Sequence, residues 1–393
     1  MRAAPHPDAP MVEPVWFWQR IVSPHMAGLA AALAERGREV TYVAEREMSE
    51  DRARLGWRSP SLGKATLAFA PDETTVDKLV GQAPRDSIHI CQGLRGNGWV
   101  GCAQTLLHSH RIRQWVVMEM IDDAGWRGQL RRLRYRALIA RRKEGIDGVL
   151  AIGHATPNWL VDRGMPEDRV FPFAYFLQEL DQTGRLGQEA AGNTFTFLYC
   201  GQFIVRKRVN LLLSAFHRLR QSADVALKLV GDGPLAQSLR EMPGAAEAQW
   251  LGRRPLQEIP AIMAGADCLV LPSRYDGWGA VVSEALMAGT PVICSDACGA
   301  AGVVGASGTG TVFPADDPDA LATAMEVAVA RGRPAQAERT KLGKWARCLG
   351  AVAGARYLDY ILAASRSGGE ELLPPWECQA QTSEMGETDL RHV

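Results

Sequence analysis

The sequence lacks any long apolar run. Among its 393 residues, no stretch approaches the roughly 18 consecutive uncharged apolar residues that a membrane-spanning helix needs. The first residues, MRAAPHPDAPMVEP, lack the basic flank and apolar run of a signal peptide. These two absences argue against a membrane-spanning or a secreted protein, and we expect a cytoplasmic location.

The sequence also has no net charge at neutral pH. The 44 Lys and Arg residues balance the 44 Asp and Glu residues, so the whole molecule does not attract nucleic acid. The eight cysteines are scattered, and the closest pair, Cys294 and Cys298, has no histidine or second cysteine pair to complete a zinc site. We therefore predict no metal, no cofactor and no nucleic-acid partner, and interpret the cysteines as small buried apolar residues in a reducing compartment.

The sequence does contain short β-like runs that alternate with helical patterns. This alternation predicts an α/β protein with parallel sheets. A polar stretch without period separates two sets of strand candidates. We predict one Rossmann-like, doubly wound domain over 1–176, a linker over 177–193 and a second such domain over 194–349. A helix over about 350–376 is expected to pack back on the first domain, and 377–393 to form a flexible tail.

The strongest motif is LVLPSRYDGWGAVVSEALMAGTPVICSD, at 269–296. It predicts a strand end near Pro272, a Gly-rich turn and a helix that begins near Ala280. The glycines let the backbone approach a ligand, and free N–H groups at a helix start can bind a diphosphate. Asp276 and Glu284 can border the same anion-binding site, where we expect them to bind sugar hydroxyls rather than phosphate. Alternatively, Asp276 caps the helix and Glu284 is merely solvated.

Two further stretches support a site for a phosphorylated ligand. In LYCGQFIVRKRVNLLLSAF, at 198–216, three cations follow a strand end: Arg206, Lys207 and Arg208. Cations at this edge can neutralise a leaving diphosphate, although a solvated basic loop is the alternative. The stretch LKLVGDGPLAQSLRE predicts a strand and a tight turn, which is weak evidence by itself.

Together these motifs resemble glycosyltransferase family 4, whose members are retaining enzymes with the GT-B fold. The resemblance covers essentially the whole chain and is most specific over 194–304. The family's V-G-D-G-P turn is intact at 230–234, and its G-R-L-x(3)-K-G-V-D loop appears at 201–210. Its P-S-x-x-E-G-F-G-x(4)-E-A segment matches 272–285, with Asp for the first Glu and Trp for Phe. The resemblance implies two Rossmann-like domains that face each other across a cleft.

The resemblance also implies an activity. A hexose-type sugar would move from a UDP- or GDP-sugar to a glycan or lipid-linked acceptor with retention of configuration, as in EC class 2.4, without a metal. Lys207 would bind the donor diphosphate, Glu284 the ribose hydroxyls and Asp276 the transferred sugar, while the leaving phosphate helps to deprotonate the acceptor. Gln202 replaces the family's phosphate-binding arginine, and Arg206 can supply the charge. The candidate donor-binding residues are Gln202, Arg206, Gly231, Arg253, Gly277, Trp278, Gly279 and Ala280.

The N-terminal half departs from the family pattern. The stretch RIVSPH, at 20–25, replaces the Gly-Gly loop, and VVMEMIDDAGW stands where a histidine usually follows the fifth strand. Glu119 is our candidate for the catalytic group on the acceptor side, and Ser23 and His25 are further acceptor-side candidates. For Glu119 and His25, the alternative is an ordinary capped or partnered polar residue.

Residues 126–143, WRGQLRRLRYRALIARRK, concentrate eight basic side chains beside an apolar edge of Leu130, Leu133, Ala137 and Leu138. This pattern favours a peripheral anchor on the anionic inner face of a cell membrane, where a lipid-linked acceptor would be presented. A surface helix whose arginines pair with acids is the alternative. Through the resemblance, we expect a role in bacterial polysaccharide or lipopolysaccharide biosynthesis.

Two rival functions remain open. Another GT-B enzyme, such as a sugar-nucleotide epimerase or a phosphorylase, would need a different constellation of histidine and acids or a pyridoxal-binding lysine. A catalytically idle scaffold that binds nucleotide sugars is favoured by Gln202 and by the missing histidine. Abolition of donor hydrolysis or transfer in Lys207→Ala and Glu284→Ala would discriminate between an enzyme and a scaffold.

Overall fold

The structure is a computed structural model that describes residues 13–48, 59–178, 193–367 and 372–382. Within these residues the chain forms two parallel sheets. The strands of the first sheet are β1 Val15–Ile21, β2 Val40–Arg46, β3 Thr66–Phe69, β4 Ile88–Gln92, β5 Arg113–Glu119, β6 Gly148–Ile152 and β7 Val170–Phe173. Those of the second are β8 Phe195–Cys200, β9 Val225–Val230, β10 Gln249–Gly252, β11 Cys268–Leu271, β12 Val292–Ser295 and β13 Thr311–Phe313.

Helices connect the strands. Around the first sheet they are α1 Pro24–Glu35, α2 Glu73–Gln82, α3 Trp99–Ser109, α4 Gly125–Arg142 and α5 Thr156–Val161. Around the second sheet they are α6 Val209–Leu219, α7 Ala236–Arg240, α8 Ile259–Ala264, α9 Ala280–Met287, α10 Ala301–Ala306, α11 Pro318–Arg331 and α12 Gln336–Trp345. The C-terminal helices are α13 Ala351–Ser367 and α14 Pro375–Thr382. None of the described helices is long and apolar enough to cross a membrane.

The inner strands of both sheets are buried over most of their length, which explains their apolar sequences. All residues of β6 and β11 are buried. A parallel sheet requires helical crossovers, and these helices cover both faces, so its central strands meet apolar neighbours on either side. The amphipathic helix α6 illustrates the match, because Leu212, Leu213 and Phe216 form its buried stripe.

Both sheets reverse their strand order near the middle. The first runs β3-β2-β1-β4-β5-β6-β7 and the second β10-β9-β8-β11-β12-β13. In such sheets a crevice opens at the carboxyl ends of the two strands where the order reverses. For the second sheet these strands are β8 and β11, whose following loops carry Lys207 and Asp276. The predicted fold class, two Rossmann-like parallel-sheet domains in the GT-B arrangement, is confirmed.

The C-terminal region differs from the single helix that the sequence predicts over about 350–376. The structure has two helices, and α14 begins at Pro375 because proline lacks the N–H group that would continue a helix but fits the first turn. Helix α13 returns to the first domain, where Asp359 pairs with Arg36 and Arg38 at 3.0 Å and 2.8 Å.

Parts of four predicted segments lie outside the described residues. They are 1–12 and 49–58 of the predicted first domain, 179–192 of the predicted linker, 368–371 of the predicted C-terminal helix and 383–393 of the predicted tail. The first part of that tail, 377–382, belongs to α14. The domain boundaries given above therefore stay predictions.

Candidate functional site

The loop after β8 presents two cations to one carboxylate. A short 3-10 helix, Val205–Lys207, ends the loop, and the Lys207 Nζ donates to an Asp276 carboxylate oxygen. The Arg206 guanidinium lies 3.4 Å from the other Asp276 oxygen. The Lys207 side chain is only 11% exposed, so this ion pair is shielded from water and more strongly held than a surface pair.

The third cation of this loop turns away. Arg208 has a left-handed backbone conformation, with φ of 50°, and precedes helix α6. Its guanidinium donates to the Ala315 carbonyl and, at 2.7 Å, to Asp316. Sequence reasoning placed all three cations towards the cleft, but the change of backbone conformation at Arg208 separates it from Arg206 and Lys207.

The Gly-rich turn between β11 and α9 surrounds Asp276 with backbone groups. Gly279 precedes α9 with φ of 85°, a conformation that disfavours side chains, and a Cβ atom there would also crowd the Cys298 sulfur at 2.7 Å. As at any helix start, the first amides of α9, beginning at Ala280, have no partner within the helix. The Trp278 ring is buried and donates to Ser283 at 3.1 Å, and the Trp278 carbonyl accepts from the Ala300 N–H at 2.8 Å, so neither the ring nor the carbonyl is free for a ligand.

Glu284 lies one turn inside α9 and shares the environment of Lys207. Burial raises the pKa of Glu284 to about 7, so near neutral pH the carboxyl is divided between its two protonation states. Burial is the largest cause of the raised pKa of the Cys200 thiol at the end of β8, and the nearby charge of Glu284 raises this pKa further while that of Lys207 lowers it. Lys207 and Glu284 therefore lie around the same strand end.

The GDGP turn completes this edge. Gly231 has φ of 135°, and a Cβ atom there would overlap the Gly201 carbonyl, so the ends of β8 and β9 can approach only with glycine at this position. Asp232 of the same turn lies 3.2 Å from Arg253, which is half exposed. Gln202 is exposed, and its carbonyl accepts a hydrogen bond from Tyr199 at 2.9 Å.

The first domain contacts this turn directly. The Tyr275 hydroxyl donates to the Met120 carbonyl, just beyond β5. The Glu119 carboxylate lies so close above Gly277 that a Cβ atom there would overlap it. A second contact joins the His154 N–H to the Gly299 carbonyl at 2.9 Å. Together these contacts close the two domains around a cavity of only about 20 Å³ beside Asp276.

A comparison with known protein families gives a match over the second domain. Residues 185–347 match the family described as glycosyl transferases group 1. The chain carries a glycosyl transferases group 1 domain. Every site residue of the second domain described above lies within this group 1 domain, and its match ends before α13.

Relatives and solved structures support the same assignment. The GDP-mannose-dependent alpha-(1-6)-phosphatidylinositol monomannoside mannosyltransferase of Mycolicibacterium smegmatis is 34% identical over 157 residues, 37% of this chain and 41% of that protein. The O-antigen chain mannosyltransferase B of Escherichia coli is 30% identical over 168 residues, 38% of this chain and 42% of that protein. The chain therefore matches less than half the length of these two relatives.

The fold likeness extends beyond the group 1 domain. The crystal structure of Anabaena HepE in complex with UDP has a TM-score of 0.66 at 15% identity, and the alignment covers 89% of this chain and 100% of that one. At this identity the likeness shows the fold alone, with both domains included.

The two acceptor-side candidates at the start of α1 contact other residues of the first domain. Ser23 is buried, and its backbone N–H donates to the Tyr42 hydroxyl at 3.0 Å. The Ser23 side chain forms no capping bond to α1. His25 is partly buried and stacks on Tyr175 at 4.8 Å between ring centroids. Glu119 is the first-domain candidate that lies against Gly277 of the Gly-rich turn.

Several residues that sequence reasoning missed form the domain contact. They are Met120, Gly153, His154, Tyr275 and Gly299. Tyr275 lies inside the recognised motif but at a variable position, so the pattern carried no signal for it. The other four lie in loops whose proximity follows only from the packing of the two domains.

A larger cavity of about 570 Å³ lies at the opposite, amino-terminal edge of the first sheet. Its charges pair with one another, because Arg113 lies 2.8 Å from Asp147 and 3.2 Å from Glu13. Because this cavity lies at the amino-terminal edge of the first sheet, it is remote from Lys207, Asp276 and Glu284. Across the described ranges, no group of three His, Cys, Asp or Glu residues is arranged to hold a metal ion.

Helix α4 carries the basic segment on the surface. Trp126, Leu130 and Leu133 are 67%, 49% and 60% exposed, whereas Leu138 packs inwards, contrary to its predicted place on the apolar edge. Residues 128 and 139 of the opposite side are buried. The exposed apolar stripe is therefore not part of the domain core.

The arginines of α4 use carbonyl oxygens more than acids. Arg131, Arg136 and Arg142 donate to the carbonyls of Asp122, Asp162 and Leu94, and Arg132 to that of Asp123. Arg132 also lies 3.7 Å from the Asp123 carboxylate. Within the part of the chain that the structure describes, Arg134 and Arg141 have no hydrogen-bond or ion-pair partner.

Proposed function

We propose that the protein transfers a hexose-type sugar from a nucleotide diphosphate sugar to a glycan or lipid-linked acceptor, with retention of configuration. One observation carries this proposal: Lys207, Asp276 and Glu284 converge on the strand ends where the second sheet reverses its order. This crevice of an open parallel sheet is the place where ligands bind. The group 1 match over the same residues supports a glycosyl transfer.

The cations and the helix start suit the diphosphate. Lys207 and Arg206 now neutralise Asp276, and a diphosphate would compete with that carboxylate for both cations. The amides at the start of α9 add a dipole that favours negative charge. As the glycosidic bond breaks, charge grows on the diphosphate, so these groups stabilise the transition state more than the ground state.

The carboxylates suit the sugars. Once the diphosphate binds Lys207, Asp276 can accept hydrogen bonds from hydroxyls of the transferred sugar, and Glu284 can accept those of the ribose. In the proposed step, the bond between C1 and the β-phosphate oxygen breaks while the acceptor oxygen bonds to C1 on the same face. The acceptor proton passes to the leaving phosphate, so the step needs neither a protein nucleophile nor a metal, and we propose that none takes part. Glu119, next to Gly277, is placed to orient the acceptor.

GDP-mannose is the first donor to test, because both mannosyltransferase relatives are about 30% identical and one is named as GDP-mannose-dependent. UDP-sugars are the second group, because the Anabaena neighbour was solved with UDP. We propose polysaccharide or lipid-linked glycan synthesis as the process, by the names of the same relatives.

The surface of α4 suits an anionic membrane. An exposed stripe of Trp126, Leu130 and Leu133 can enter the lipid interface while Arg134 and Arg141 contact lipid phosphates. We propose that this helix docks the protein on the inner face of the cell membrane from the cytoplasm, where a lipid-linked acceptor would be within reach.

The activity is tested with labelled GDP-mannose and UDP-glucose, scored for donor hydrolysis and for transfer to lipid extracts. The anomeric configuration of the product, read by NMR, tests retention. Transfer that disappears in Lys207→Ala and in Glu284→Ala supports the proposal. Nucleotide binding without turnover of any donor in the wild type would instead favour an idle scaffold.

A further inference from the structure

The Gly-rich turn beside Asp276 is held in place by two sets of contacts. In the first set, its backbone bonds to the loop after β12. The Asp276 N–H donates to the Ala297 carbonyl at 3.1 Å, and the Asp276 carbonyl accepts from the Gly299 N–H at 2.9 Å. The two loops lie so close that a Cβ atom at Gly299 would overlap the Gly277 carbonyl. The side chain of Trp278 makes the second set of contacts.

The Trp278 ring anchors the turn in the core. It is only 2% exposed, although Trp278 stands between two glycines that have no side chains to pack. The indole N–H donates to the Ser283 hydroxyl at 3.1 Å. Trp376 of α14 lies against the same ring, with 6.3 Å between centroids and 51° between the ring planes. Aromatic pairs at this distance stabilise each other beyond the area that they bury. The position of the Trp278 ring therefore depends on Trp376.

Trp376 is itself fixed by its surroundings. It is the second residue of α14 and is 7% exposed. Its other aromatic neighbour is Phe176, at 6.4 Å between centroids, and Phe176 in turn packs edge-on against Phe173 at 5.0 Å. Helix α14 also contacts α10 and the segment 346–349. Trp376 therefore forms a rigid wall behind the Trp278 ring.

This wall comes from outside the group 1 domain. The family match ends at residue 347, whereas α14 begins at Pro375. The turn must present Asp276 and the amides at the start of α9 in exact positions, because a misplacement of about 1 Å can reduce a rate about 100-fold. Side chains that touch a ligand hold their geometry only when the residues behind them are packed as well.

We propose that Trp376 is a positioning residue for the donor, which holds the Trp278 ring and thereby places Asp276 and the amides at the start of α9 against the sugar diphosphate. The inference rests on the proposed function in naming a nucleotide diphosphate sugar as the ligand of this turn. Trp376 does not touch the donor, so its effect passes through Trp278. Truncation of Trp376 leaves a cavity beside the Trp278 ring, into which the ring and the turn can shift.

Trp376→Ala removes the wall, Trp376→Phe keeps a smaller ring there, and Trp16→Ala is the matched control, because Trp16 is 8% exposed and lies in the core of the first domain. Amide hydrogen exchange of the nucleotide-free proteins, measured by mass spectrometry, should be faster over 276–283 in Trp376→Ala but not in Trp16→Ala. Calorimetric titration with GDP and with UDP should show that Trp376→Ala binds the recognised nucleotide about tenfold more weakly. Trp376→Phe should recover most of this affinity, and Trp16→Ala should keep it.

Unchanged exchange over 276–283 in Trp376→Ala would overturn the inference. Faster exchange with unchanged nucleotide affinity would overturn it as well, because the position of the turn would then not matter for the diphosphate. An equal loss of affinity in Trp16→Ala would assign the effect to a general loss of stability and would also overturn it.

Two further outcomes separate the inference from its foundations. If exchange over 276–283 rises only in Trp376→Ala but the wild type binds neither nucleotide, the positioning of the turn stands and the proposed function fails. If Trp376→Ala does not fold, Trp376→Leu, which keeps an apolar side chain without a ring, is judged by the same criteria.

Discussion

In the second domain, Lys207 and Asp276 of the candidate site lie at the carboxyl edge of the sheet and are largely buried, whereas the first domain carries a cluster of seven arginines on an exposed helix. Lys207 and Asp276 form a shielded pair, but the arginines of α4 surround apolar residues that face solvent. The same doubly wound architecture therefore holds a shielded ion pair in one domain and carries an exposed helix with basic and apolar side chains in the other. The difference lies in the loops and the outer helix faces, not in the sheets.

The largest effect should come from the buried charge. Lys207→Ala removes the side chain that we expect to neutralise the leaving diphosphate, and turnover should fall about 100- to 1,000-fold. Initial rates with labelled donor measure this. Arg208→Ala is the control from the same loop, because Arg208 points to Asp316 instead. If Arg208→Ala is as inactive as Lys207→Ala, our assignment of Lys207 to the diphosphate and of Arg208 to a structural ion pair is wrong.

The second largest effect should come from substitutions on the exposed helix α4. The triple variant Trp126→Ser/Leu130→Ser/Leu133→Ser should reduce binding to phosphatidylglycerol vesicles at least about 100-fold, since each fully buried large apolar side chain contributes about 1.5–3 kcal/mol and three are removed. Vesicle co-sedimentation measures it, with phosphatidylcholine vesicles as the uncharged comparison. The double variant Leu256→Ser/Val327→Ser changes exposed apolar residues of the second domain and should bind like the wild type. If both variants lose vesicle binding equally, α4 is not the membrane-docking surface.

The pH dependence of the free energy of unfolding should differ between the domains. In the first domain, we expect it to be set by His89. Burial lowers the pKa of His89 to about 3, while in the unfolded chain it is 6.5. Stability is therefore complete above pH 6.5 and falls as the pH decreases, by roughly 2 kcal/mol down to about pH 5. Urea unfolding at several pH values measures it, and His89→Gln should flatten the dependence. His110→Gln, at an exposed position, should keep it.

The smallest effect concerns Glu284, in the second domain, and has the opposite sign. Its pKa is raised from 4.5 to about 7, so its contribution to stability is present below pH 4.5 and is lost as the pH rises to 7. The ionised carboxylate accepts hydroxyl hydrogen bonds better, so donor affinity should rise about tenfold between about pH 6 and pH 8. Calorimetric titration across this range measures it. The variant Glu284→Gln should show no such rise in donor affinity. If its donor affinity still rises with pH as in the wild type, a group other than Glu284 is responsible.

The sequence predicts the architecture well because its signals are local. Alternating strand and helix periods require only neighbouring residues, and the motif at 269–296 spans a single strand, turn and helix. The same locality explains the failures. Trp278 matched a motif position of donor binding, yet its ring is buried beside Trp376, at 6.3 Å between centroids, about a hundred residues away in the chain. No local pattern reports such a neighbour.

By itself, the sequence determined two parallel sheets and the strand ends at which Lys207, Asp276 and Glu284 stand, because strand order and loop position follow from periodicity and chain direction. The tertiary structure alone decided which groups meet there. Asp276 received the charges of Lys207 and Arg206, and Tyr275 received a carbonyl 155 positions away. The pairing of Asp276 joins two loops of one sheet and that of Tyr275 joins the two domains, but both depend on tertiary packing, since Coulomb energy and hydrogen bonding depend on distance in space rather than along the chain.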